Sequence, residues 1–471
     1  MEAMKILLLS LFFVLTPLNS QELKEDISPW LKKMASRYSI DSDLISWSLK
    51  EVGSPNEYFG HEQDRQVIPA SLTKILTVWH ALNKLGDDYR FETEIFANGK
   101  IKDGVLDGDL ILKGAGDPFF TNAMLMNMAI KLKNAGISKV KGRLLYDQSA
   151  LPVIPMISTI GLGDQTYNPG VSALSLEFNR FTVWRGYQTI PPLHSLKVMK
   201  LREKFTPGRR FKELDGDSSM EVWGLSETEK YQHLEEVPIR KPALIFAETF
   251  RMIAAKTGVE LPKAIEGKAS GKKIVTQFSQ PLSLLSKSIM EYSNNLMAEL
   301  LLLASTKSHP LEPAAKEMQE ALKKKFNFLS SINLKNGSGL DSQNRMSPKA
   351  LTAFLAENFP KEFGETAYPS LFSISGQSGW MLRRLNDPEM AYNVWAKTGS
   401  LDYIDNMAGY LFAKSGKIYA FSVFINDMKK RDLLDGPNSE KINQLREKAK
   451  DWRNQSKPLT DALIRHWYET L

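Results

Sequence analysis

The chain of 471 residues is 42% hydrophobic and 24% charged, with a net charge of +7 and a pI near 9.1. It is too long for one ordinary core, so two or three domains are expected, and its balance excludes a disordered or membrane-embedded protein. The absence of cysteine excludes disulfides, thiol catalysis, thiolate metal sites and lipid attachment through an N-terminal cysteine.

An apolar run from Ile6 to Leu15 is too short to span a bilayer but suits the centre of a secretory signal. Glu2 spoils a basic start, so translation from Met4 and cleavage near Ser20 are expected, with an uncleaved anchor as the alternative. Residues 29–38 read as a helix and 43–52 as a strand. Between Ser71 and Leu85, Leu72, Ile75, Leu76, Trp79 and Leu82 share one helical face, and Gly86 ends it. From about residue 90 the period changes to two. N-G, D-G and D-G punctuate this stretch, so strands joined by tight turns are expected.

Strand-like and loop-rich sequence continues to about 240, with one helix near 121–135. The densest basic stretch, 197–210, reads as a solvated hairpin or loop. Helical spacing returns at 242–258, and 281–305 reads as two helices broken at Tyr292–Asn295. Segment 296–304 is apolar, but it is short and contains Glu299, so no later transmembrane span is expected. Residues 393–400, 405–413 and 417–426 read as strands, and a polar helix over 439–453 closes the chain. The pattern predicts an α/β domain from residues 21–89 and 241–471, preceded by a signal at 1–20. A mostly β insert, 90–240, interrupts it; it is compact enough for one accessory domain, and two stay open.

Six histidines at 61, 80, 194, 233, 309 and 466 form no close pair, so neither a zinc enzyme nor a histidine triad is supported. No metal or cofactor is expected. The positive charge favours anionic surroundings, yet no basic motif interleaved with aromatics points to nucleic acid.

Three serine–lysine pairs have the spacing S-x-x-K: Ser71/Lys74, Ser138/Lys141 and Ser270/Lys273. The last two lie in polar basic turns and read as surface chemistry. Ser71 opens a buried helix, where backbone N–H groups lack acceptors, and Lys74 lies one turn on along the same face. A serine hydroxyl needs a base, and a lysine serves once burial or a second cation lowers its pKa. Ser293-Asn294-Asn295 falls at the helix break. Lys397-Thr398-Gly399-Ser400 follows a strand and precedes a hairpin, which suits an edge strand lining a cleft. Lys256-Thr257-Gly258 ends a helix and reads as structural. Each motif alone is weak; the three in order are a strong signal. The bland alternative makes Ser71 a helix cap and Lys397 a surface lysine.

With these motifs the chain resembles the low-molecular-mass class C penicillin-binding proteins, the D-alanyl-D-alanine carboxypeptidase/endopeptidase family of the penicillin-binding protein 4 type. The resemblance runs from about 40 to 430. It includes G-D-L-I-L-K-G-A-G-D-P (108–118), G-R-L-L-Y-D-Q-S (142–149), V-S-A-L-S-L-E-F-N (171–179), Y-S-N-N-L-M-A-E (292–299) and N-G-S-G-L (336–340). It implies a β-lactamase/transpeptidase-like domain, an antiparallel sheet with flanking helices, interrupted by a mostly β accessory domain.

It further implies that Ser71 attacks a D-Ala-D-X peptide bond while Lys74 accepts its proton. Ser293 relays a proton to the leaving amine, and Asn295 holds Lys74 and the substrate amide. Lys397 supplies charge for the substrate carboxylate, and Thr398 with Gly399 binds it. The backbone N–H groups of Ser71 and Ser400 form the oxyanion hole. The implied partners are peptidoglycan peptide stems and β-lactams as covalent inhibitors, met in the periplasm, with no nucleic acid; the oligomeric state stays open, a dimer included.

The chain departs from the family at N-G-S-G-L-D-S, where Asn336 and Ser342 replace an aspartate and an arginine, with Arg345 close by. It departs again at Gly379-Trp380-Met381, commonly G-T-L. Asp147 is a candidate partner for a substrate ammonium, with an ordinary strand-end aspartate as the alternative. Rival functions are a β-lactamase or esterase of the same superfamily and a non-catalytic penicillin-binding scaffold.

Overall fold

The computed structural model describes residues 27–55, 58–185, 187–205, 209–227, 234–436 and 440–471; the expected signal lies outside them. Two distant parts of the chain build one six-stranded sheet. β1 (Ile45–Glu51) and β2 (Tyr58–His61) come from its start. β3 (Ser373–Ile374), β4 (Val394–Leu401), β5 (Ile404–Phe412) and β6 (Ile418–Asn426) come from its end. The spatial order is β3-β4-β5-β6-β1-β2, with every pairing antiparallel.

Helices cover both faces, so β5 and β6 are buried along almost their whole length and read as continuous apolar runs. α1 (Ile27–Arg37) lies on one face. On the other lie α2 (Thr73–Leu85), α3 (Leu282–Tyr292), α4 (Asn295–Ser305) and α5 (Pro348–Asn358). α6 (Met428–Leu434) and α7 (Glu440–Thr470) return to the face of α1. α2 is buried at every residue from Thr73 to Leu82, not on one face as its pattern predicts. It is ringed by other elements, with Trp79 meeting Phe326, Phe354 and Phe363 edge-on.

α7 runs well past the predicted end at 453, through Pro458 to Thr470. Proline removes a helical hydrogen bond. Here Ala449 and Trp452 before that defect and Leu459, Leu463, Ile464 and Trp467 after it are buried, and Trp467 packs on Trp47 and Phe421. Packing overrides the stop signal.

Between α2 and α3 the chain leaves this body. Strands Glu92–Lys102 and Val105–Lys113 form a hairpin turned at Asp103-Gly104. The other expected turns, at 98–99 and 107–108, lie inside the strands, where Gly99 pairs with Gly108. The sheet continues through Leu144–Asp147 to Ala264–Glu266, and on its other side to Lys272–Phe278. Helices Asn122–Asn134 and Pro242–Lys256 fill its core.

Residues 242–278, which the sequence assigns to the flanking domain, thus belong to this sheet and its core. We place the insert's end near 280. There Ser279 N–H donates to Phe91 O and Leu282 N–H to Tyr89 O, both at 2.9 Å, where the insert's two ends meet. Two three-stranded sheets spanning 180–238 enclose a further apolar cluster around Phe181, Phe211, Trp223 and Val237. The insert therefore holds two apolar clusters. Leu196–Leu201, which overlaps the start of the basic stretch, is a strand of these sheets. Among the described residues no helix is long and apolar enough to cross a membrane.

Candidate active site

Ser71 sits in one 3-10 turn, Ala70–Leu72, directly before α2. The backbone leading to it is held from the sheet. Asn406 on β5 donates to Ile68 O and Pro69 O at 3.0 Å, and Asn426 on β6 accepts from Ile68 N–H at 3.0 Å and donates to Asn406 at 2.7 Å. Two glycines permit the closeness. A Cβ on Gly339 would stand 1.8 Å from Ala70 O, and one on Gly399 would stand 2.9 Å from Pro69 O.

Lys74 is fully buried, and its Nζ meets Ser71 Oγ at 2.9 Å, Asn295 Oδ1 at 2.7 Å and Ser338 O at 2.6 Å. Burial lowers its pKa to about 7, against the opposing pull of Glu299. Glu299 is itself buried. Its two oxygens accept from Gly337 N–H and Ser338 N–H, both at 2.9 Å, fixing the loop whose carbonyl reaches Lys74. Burial raises the Glu299 pKa, and those hydrogen bonds and Lys74 resist the rise.

The S-N-N motif divides its work. Ser293 turns the chain out of α3 in the left-handed region, with φ 59°. Asn294 caps α4 by accepting from Met297 N–H, and Asn295 opens α4 and reaches Lys74. Lys397, inside β4 rather than after it, donates to Ser293 Oγ at 2.8 Å and Thr398 O at 2.6 Å. Burial and the nearby Lys74 push its pKa well below the usual lysine range. β3 pairs with β4 only at Trp395 and Ala396, so residues 397–400 lie on an uncovered edge.

These groups open on a cleft of about 770 Å³ lined by Ser71, Ser293, Asn295, Thr398 and Ser400. The insert supplies its roof, residues 160–169, where Tyr167 O accepts from Asn295 Nδ2 at 2.9 Å. Buried Arg240 holds that roof by donating to Pro155 O, Gly163 O and Asn168 O. Trp380 and Tyr292, both largely exposed, also line the cleft.

Asp147 does not join the cleft. It ends a strand in the insert, where its oxygens accept from Ser149 N–H, Ser149 Oγ–H and Ala269 N–H. Ser342 and Arg345 also lie off the cleft lining. Ser342 donates to Asp435, and Arg345 to the carbonyls of Ser342 and Asn344. Asn336 accepts from Gly339 N–H and braces the Ser338 turn. Lys256-Thr257-Gly258 caps a helix, Ser138 bonds to Gly104 O, and Lys273 pairs with Glu94 on the surface.

Glu299, Asn406, Asn426 and Arg240 escape the sequence patterns. The lone acid in L-M-A-E-L-L-L-L-A was a usable signal, since a buried carboxyl needs partners. Asn406 and Asn426 interrupt apolar strands in the same way.

Fold and site together define the class: a buried serine–lysine centre on an antiparallel sheet flanked by helices. More narrowly, the chain belongs to the D-Ala-D-Ala carboxypeptidase 3 (S13) family, which matches residues 30–190 and 209–447. It is 27% identical over 398 residues to the D-alanyl-D-alanine carboxypeptidase DacB of Haemophilus influenzae, covering 78% of this chain and 82% of the relative. The D-alanyl-D-alanine carboxypeptidase of an Actinomadura species is 22% identical over 452 residues, covering 86% and 81%. In fold, the chain is similar to the crystal structure of penicillin binding protein 4 (dacB) from H. influenzae. The TM-score is 0.72 at 23% identity, with 91% of this chain and 99% of that one covered.

Proposed function

We propose that this peptidase cleaves the bond after D-alanine in peptidoglycan stems, D-Ala-D-Ala or D-alanyl-diaminopimelate, through an acyl-enzyme on Ser71 that β-lactams also form. One observation carries this: the Lys74 amine, with its pKa lowered to about 7, stands 2.9 Å from Ser71 Oγ. A neutral lysine has two N–H groups and one lone pair. Asn295 Oδ1 and Ser338 O, the two shorter contacts, take the hydrogens and leave the lone pair facing the serine.

The Ser71 oxygen attacks the substrate carbonyl as its proton passes to Lys74. The oxyanion is held by the backbone N–H groups of Ser71 and Ser400, each donor worth about 2.7–4 kcal/mol. Ser293, bonded to Lys397, relays a proton to the leaving amine, and Thr398 beside Gly399 takes a terminal carboxylate. Asn295 Nδ2 takes a substrate carbonyl oxygen in place of Tyr167 O. Water then hydrolyses the ester. The relatives' names favour carboxypeptidase action, and we include endopeptidase action on cross-links. The N-terminal apolar run supports export to the periplasm.

The test is intact mass over time with benzylpenicillin, for the wild type and Ser71→Ala. A lasting single adduct on the wild type and none on the variant is expected. Undiminished labelling of Ser71→Ala would remove the nucleophile, and rapid release of hydrolysed drug would favour a β-lactamase.

A further inference from the structure

The two most exposed large apolar side chains among the described residues meet on the cleft. Tyr292 is 67% exposed and Trp380 61%, both line the cleft, and Trp380 Nε1–H donates to Tyr292 O at 3.2 Å. Paired aromatic rings left in water at a cleft, unlike apolar residues scattered singly, mark a surface that a ligand covers. The turn that carries Trp380 is fixed. It is a single 3-10 turn, Gly379–Met381, in which Met381 is fully buried. Gly379, at φ +52°, lies so close to the end of α3 that a Cβ there would stand 2.6 Å from Glu291 O. The chemistry above uses neither ring. Tyr292 immediately precedes Ser293, whose Oγ accepts from Lys397. The backbone that carries the pair therefore leads straight into the proposed proton relay.

We propose that Trp380 and Tyr292 form an aromatic platform for the leaving half of a cross-link, so that the enzyme favours D-alanyl-diaminopimelate bonds between stems over terminal D-Ala-D-Ala. The inference rests on the function proposed above, which sets the side of the cleft. With Ser293 handing a proton to the leaving amine, the residue that bears this amine lies beside Ser293 and hence beside the pair. A leaving D-alanine offers only a methyl group there, too short to cover two rings. A leaving diaminopimelate presents the same amine and carboxylate, but it carries a chain of methylenes with a second stem at the far end. Methylenes laid over the rings take apolar surface of both partners out of water. With its indole N–H spent on Tyr292 O, Trp380 offers that chain an apolar face. Rings kept only to shelter Ser293 would be packed down over it; these stand largely in solvent.

The experiment compares two synthetic substrates with the same acyl side: a pentapeptide stem ending in D-Ala-D-Ala, and two tetrapeptide stems joined by a D-alanyl-diaminopimelate bond. The full-length protein is assayed beside Trp380→Ala, Trp380→Phe and Tyr292→Ala, with the benzylpenicillin adduct on Ser71 as the check on the intact site. The wild type should favour the cross-linked substrate by about tenfold in kcat/KM, the low end for added methylenes in an apolar site. Trp380→Ala should bring that ratio close to one, chiefly by raising KM for the cross-linked substrate, and Trp380→Phe should keep most of it. Should Trp380→Ala take no adduct, the ratio for Tyr292→Ala decides, with the same loss expected. Equal rates, or a preference for the single stem, in a wild type that forms the adduct would overturn the platform alone. A ratio unchanged in the variants, even with both rates lowered, would overturn it too, because the rings would then at most shelter Ser293. No adduct on the wild type, or cleavage of neither substrate, would instead refute the underlying function.

Discussion

Glu299 acts on the site twice, through its charge and through its shape. Its charge favours the ammonium form of Lys74, while burial opposes it. Lys74 is a competent base only when neutral, so acylation should rise with pH toward a plateau above about 7. Glu299→Gln removes the charge that holds the proton, and the acid limb of the acylation profile should move to lower pH. It also replaces one of two acceptors clamping Gly337 and Ser338, at a cost of about 1–3 kcal/mol in stability. Acylation rates across pH by stopped flow, with thermal denaturation beside them, separate the two roles. A limb that stays put or moves upward would make Glu299 a clamp alone. The side chains that gather around Ser71 and Lys74 were legible in the sequence because each belongs to a short motif. Glu299, Asn406 and Asn426 were not, because one polar residue in an apolar run does not announce whom it will meet.

At the level of elements, the nucleophile turn is squeezed between two strips of backbone. Gly339, at φ +78°, approaches Ala70 O from one side, and Gly399 on β4 presses Pro69 from the other. Gly339→Ala should force the turn away from Lys74. The cost is about 1–3 kcal/mol for overpacking, with strain at positive φ in addition, and benzylpenicillin acylation should slow at least tenfold. A variant with wild-type melting and acylation would show the turn to be more pliant than its contacts imply. Element types followed local pattern well: the break at Ser293 and the three closing strands were each visible. Boundaries failed where tertiary packing decides. Pro458 did not stop α7, and two Asn-Gly and Asp-Gly pairs became strand interiors because their partners lie across the ladder.

Over the whole molecule, the accessory body is tied to the chemistry through Arg240. Its guanidinium gathers two carbonyls of the roof, Gly163 O and Asn168 O, and Pro155 O just before it, and the roof in turn rests on Asn295 through Tyr167 O. Arg240→Met should free residues 155–169, lowering their local opening free energy by about 2 kcal/mol. Hydrogen exchange should show those amides relaxing while the β5 and β6 amides stay protected. Uniform loss of protection would mean that the arginine supports the insert's core instead. That coupling was invisible in the sequence, since it joins a loop, a buried cation and a motif residue that the fold alone brings together.

The split sheet has a consequence for how each copy is made. β1 fills its place between β2 and β6 only when residues 419–425 exist to pair with it. Contacts so distant along the chain form slowly and late. Ser71 is synthesised early, but Lys397 and the asparagines that hold its turn arrive with the closing strands. A nascent chain, or one threaded through a translocation channel from its N-terminus, carries its serine without the means to use it. The topology itself acts as a safety catch, released only when nearly the whole polypeptide has emerged.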